Sequence, residues 1–139
     1  MAFAGINHLA VIIAAVVGWL ASAGWYMSLG RIYQAGLGKT AEECAAEMKK
    51  PSTLLPFLYA FIADVVMAWM LAGVLGHLGQ VTLKNGVITA AFIWFGFILT
   101  TMVVNFNFSG RDKRVLLIDV GNWLIVLVVM GAAIGFMGV

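Results

Sequence analysis

Charge is scarce in this sequence. Only 10% of its 139 residues are charged, eight Lys or Arg against six Asp or Glu. A soluble domain carries roughly 25%, so this chain has too little polar surface to cover itself in water. The net charge of +2 is too small to attract nucleic acid, and no nucleic-acid partner is expected. Cysteine is scarcer still. The lone Cys44 excludes an internal disulfide and leaves no Cys pair for a metal. No nucleophile elbow, HExxH run or nucleophile–base set is present, so no catalytic residue, cofactor or enzyme activity is expected. "GLGKT", Gly36 to Thr40, looks like the end of a phosphate-binding loop. That motif needs a glycine where Tyr33 stands and a buried strand before it, and it is set aside.

What remains is mostly oil. Hydrophobic residues make up 63% of the chain, and the mean hydropathy is +1.04. Four apolar runs, at about 6–29, 54–78, 83–108 and 115–137, each approach the ~20 residues that a helix needs to cross a bilayer core. They do not alternate as β-barrel strands would. The expected fold is all-α: one polytopic membrane domain over 1–139, with no linker or internal repeat. The first loop holds a further short helix. Thr40 with Glu43 three residues on forms a capping box, and Pro51 ends the segment. Ala41, Cys44, Ala45 and Met48 fall on one side, so this helix is read as amphipathic, either on the membrane surface or as a solvated connector.

Orientation follows from the basic residues. Arg31, Lys39, Lys49, Lys50, Arg111, Lys113 and Arg114 lie on one side of the membrane, and only Lys84 on the other. Basic loops stay cytoplasmic, so both termini are expected outside. "ASA", Ala21 to Ala23, resembles a signal-peptidase site, but no Lys or Arg precedes Arg31, and cleavage is not expected. On this topology the "NFS" sequon at Asn107 lies on the wrong side for glycosylation.

The polar residues inside the spans are the candidate site. Asp64 lies ten residues into the second span, about 15 Å deep at 1.5 Å per residue. An ionised carboxylate there costs at least about 2.5–3.5 kcal/mol, which is why it should face other helices. Ala60, Asp64, Ala68, Ala72 and Gly76 form a stripe of small residues. Ala10, Ala14, Gly18 and Ser22 form a matching stripe on the first helix, so these two helices are expected to pack together or form an oligomer seam. No basic residue lies at the depth of Asp64, and it is read as a proton or cation site. Asp119 and Asn122 share a face of the fourth helix. Thr101 and Asn105 reach the same level on the third, with Arg111 and Arg114 just below. These six are expected to form one polar cluster, with Asp119 paired to arginine and locking the hairpin. Gly131 and Gly135 make a GxxxG pattern pointing away from Asp119, read as an oligomer face, with the first helix of the same chain as the alternative neighbour. His8 and His77 fall near the outer surface, and no metal site is expected.

Three stretches carry a family resemblance. "TTMVVNFNFSGR" and "LIDVGNW", within Phe95 to Gly135, and the opening "NHLAVIIAAVVGWLASAGWY" resemble the small bacterial membrane family called domain of unknown function 1761. Met27 and Ser28 stand where that family usually has Ser-Pro after the Trp-Tyr pair. The resemblance implies a four-helix integral membrane protein and supplies no activity. The expectation is a bacterial inner-membrane protein in contact with lipid and working as a homo-oligomer, a dimer. It would act as a transporter or channel for a small solute, proton or cation through Asp64. The alternative is a non-catalytic scaffold or accessory subunit that binds another membrane protein. Water access to Asp64 separates the two: a lined cavity favours transport, a dry carboxyl favours the scaffold.

Overall fold

The computed structural model describes residues 3–139. It is all-helical among those residues, with four helices long and apolar enough to span a membrane. α1 runs His8–Gly36 and α2 runs Ala41–Met48; a short 3₁₀ turn, Pro51–Thr53, leads into α3, Leu54–Leu78. The third span begins as α4, Leu83–Ile93, passes through a π-helical turn, Trp94–Leu99, and ends as α5, Thr100–Ser109. α6, Lys113–Met137, closes the chain. This is a multi-pass membrane protein.

The helix ends follow local chemistry. The Asn7 side chain accepts from the Ala10 N–H at 3.1 Å and starts α1. α1 continues past the expected end near Leu29, straight through Gly30, and stops at Gly36; Gly38 beyond it takes φ +71°. α2 has its capping box: Glu43 N–H donates to Thr40 Oγ1 at 3.2 Å, and Thr40 N–H donates to Glu43 Oε2 at 2.9 Å. α2 buries no residue fully. Only Cys44 is half-buried, so the helix lies on the surface of the bundle. Asp112 caps α6 by accepting from the Arg114 N–H at 2.8 Å.

α6 is the central helix and packs on α1, α3 and α4. Its Val126, Leu127, Met130 and Ile134 form the core with Ala14, Ala68, Leu71, Leu75 and Ala90. Glycines set the closest approaches. The Gly131 carbonyl lies where a side chain on Gly86 would go, and the Thr82 carbonyl lies where one on Gly135 would go. Gly131 and Gly135 are therefore covered by α4 of the same chain. This corrects the expected oligomer face: the neighbour is neither a second copy nor α1. On the other flank, Gly18 of α1 admits Met130 and Val126. α1 also packs on α3, where Trp19 and Phe61 meet edge to face at 6.1 Å between centroids.

The third span is the outlier. Only 6% of its most apolar window is buried, against 44% for α6. Phe106, 7% exposed, is the one buried residue of α5. Phe97, Val104 and Phe108 stand free of the rest of the chain.

Candidate functional site

The densest set of polar contacts joins α1 to α6. Tyr26 Oη donates to Asp119 Oδ1 at 2.5 Å. Beside it, Trp25 Nε1 donates to the Ile118 carbonyl at 2.9 Å. The Trp25 ring can lie flat on α6 because residue 121 is glycine: a Cβ there would come within 2.7 Å of the indole. From the other side, Trp94 Nε1 donates to the Val120 carbonyl at 2.7 Å. Tyr33 stacks edge-on against Tyr26, centroids 5.1 Å apart. Two tryptophans and a tyrosine thus clamp consecutive residues of α6. The runs "GWY" of α1 and "IDVGNW" of α6 are two halves of one contact. The chain belongs to the family described as Protein of unknown function (DUF1761). It matches that family over residues 9–135, which include both halves of the clamp and Asp64. No curated protein and no solved structure matches it.

The expected six-residue polar cluster does not assemble as one set in this DUF1761 protein; of its members, Asn105 and Arg111 line one cleft. Asp119 turns to Tyr26, not to an arginine. Arg114 pairs with Asp112 at 2.7 Å, and that guanidinium, together with the Arg114 N–H, holds the Asp112 carboxyl down to about 2. The ion pair at this turn is therefore Asp112–Arg114, a local contact at the start of α6 that does not reach α5. Arg111 sits over the Phe106 ring, 5.3 Å from its centroid. Thr101 and Asn105 are exposed on the outer face of α5. Asn122 is buried in α6, 3% exposed, and its Oδ1 has no hydrogen-bond partner.

Asp64 is also in the core, 2% exposed, on the stripe with the buried Ala68 and Ala72. No hydrogen bond or ion pair among the described residues engages its carboxyl. It borders neither of two surface cavities. One, about 330 Å³, is lined by Met102, Asn105, Phe106, Ser109 and Arg111. The other, about 470 Å³, lies beside α2 and is lined by residues that include Tyr33, Cys44 and Pro56, with the Lys39–Glu47 ion pair of 2.8 Å on its wall. His8 and His77 are exposed. Among the described residues no three metal-ligating side chains converge.

Sequence reasoning misses the roles of Tyr26, Tyr33 and Trp94 as partners of α6. The available signal is Gly121. A glycine flanked by Val120 and Asn122 in mid-helix makes room for a flat ring, and the two indoles that use the region lie on other helices.

Proposed function

We propose that this protein is a small non-catalytic membrane subunit that works as a homodimer, or docks another membrane protein, through the outer face of its third span. The observation that carries this reading is the bareness of that span beside the packed α6. Within α5, Thr101, Val104 and Phe108 recur at spacings of three and four, the pattern of a helix–helix seam, and all three are exposed. Asp64, 2% exposed and bordering neither of those two cavities, weighs in the same direction. Oxidative cross-linking tests the reading. With Cys44 replaced by alanine, Val104→Cys is expected to give a covalent dimer in native membranes. Met102→Cys, about 160° around α5 from Val104, is expected to give none. Equal yields from both positions would overturn the seam.

The membrane is read as the bacterial inner membrane, with both termini outside the cytoplasm. The seven-to-one basic bias supports this orientation. A periplasm-active reporter fused after Val139 is expected to be active, and a cytoplasm-active one silent. The reverse pattern would refute the orientation.

One observation favours a second reading. A mid-span acid without a partner is costly, and such acids commonly serve ion or proton pathways. Transport of a proton or cation through Asp64 requires the site to open to water in another conformation of the bundle.

A further inference from the structure

We propose that the cleft between α5 and the α5–α6 turn binds the phosphate of an anionic membrane lipid. The cleft holds about 330 Å³, and its wall changes character along the helix. Ser109 and Arg111 stand at the helix end, and Asn105 one turn in. Met102 lies seven residues from Ser109, about 10 Å further toward the hydrocarbon. Phe106 and Met102 supply an apolar wall along that path. A polar mouth above an apolar slot has the shape of a phospholipid: headgroup at the interface, chain beneath it.

The charge is placed for this. Asp112 lies between two arginines and takes only one of them, Arg114, through three side-chain hydrogen bonds of 2.7–3.2 Å. No carboxylate among the described residues forms an ion pair with Arg111. Its guanidinium carbon lies 5.3 Å from the Phe106 ring centroid, and no ion pair among the described residues takes up the N–H edge of the group. A phosphate fits that edge in a bidentate way. Asn105 is exposed in the same cleft, and its amide adds two N–H donors. A free phosphate ion would meet the arginine but gain nothing from Met102 and Phe106. The lipid uses both, and the cleft lies on the flank of α5 that the rest of the chain leaves bare.

The test is native mass spectrometry of the full chain in mild detergent, with phosphatidylglycerol or phosphatidylcholine added. The wild type is expected to retain phosphatidylglycerol and release phosphatidylcholine. Arg111→Gln is expected to weaken phosphatidylglycerol retention about tenfold, the loss of one charge-assisted hydrogen-bonding group. Arg114→Gln, which removes an arginine already engaged by Asp112, is expected to stay within about twofold of wild type on the same scale. Arg111→Lys keeps the charge without the planar fork and is expected to fall between, which guards against a folding defect in the glutamine variant. Retention by Arg111→Gln equal to wild type would overturn the site. So would equal retention of the two lipids, or displacement of phosphatidylglycerol by millimolar inorganic phosphate.

Discussion

Leucine at Gly86 is expected to separate α4 from α6 and leave little folded protein. A Cβ at Gly86 would collide with the Gly131 carbonyl and press on the Gly135 Cα at 3.4 Å. These are backbone atoms of the central helix. A flexible side chain in their place would swing aside; a helical carbonyl cannot. Overpacking of a core commonly costs about 1–3 kcal/mol, and a clash with backbone belongs at or above the top of that range. The contact is reciprocal, since a side chain on Gly131 would meet the Gly86 carbonyl and Ala90. Without it the third span keeps few anchors: Trp94 on Val120, and the buried Phe106. Gly96 is the matched control. It lies in the same span, and a Cβ added there would meet nothing within 4 Å, so Gly96→Leu is expected to be nearly neutral. Thermal unfolding in detergent, followed by size-exclusion, separates the two variants. If Gly86→Leu melts like Gly96→Leu, the close packing of α4 on α6 is wrong.

The spans are legible because hydropathy alone defines them, and the pairing of α1 with α3 because both helices carry stripes of small residues. Which face meets which neighbour is harder to read. Gly131 and Gly135 announce a close contact without naming the partner. The partner's signal, Thr82, Gly86 and Ala90 at spacings of four, is masked by the polar Lys84 and Asn85 at the start of the span. The polar cluster fails for two separate reasons. Arg114 precedes Asp119 by five residues, about 140° around the helix, and so turns back to Asp112 beneath it. Thr101 and Asn105 do share a face, but the π turn at Trp94–Leu99 lies between them and the anchored part of the span. A π turn accommodates about one extra residue and so rotates the rest of the helix by roughly 100°. Thr100, whose hydroxyl donates to the Gly96 and Phe97 carbonyls at 2.9 and 3.2 Å, satisfies groups at that irregular turn. Nothing in the residue pattern alone announces it.

Asparagine at position 64 is expected to make the protein more stable at neutral pH. The substitution keeps the shape of the side chain and removes its ability to ionise. An ionised carboxylate in mid-span costs at least about 2.5–3.5 kcal/mol, and the gain is expected to be of that order. The gain is expected because no partner among the described residues offsets the cost, and because Ala68 and Ala72 beside Asp64 offer no donors. A rise in the unfolding midpoint in detergent would show that the acid burdens the fold, and a burden of this kind is the usual mark of a functional group. Asp64→Asn would then be expected to insert and assemble normally but to lose proton-coupled flux in proteoliposomes, as the second reading requires. A fall in the midpoint would point the other way: the carboxyl would be holding the helices together, through a water or a second subunit. Unchanged flux in a working assay would likewise leave Asp64 as a structural acid inside a docking subunit.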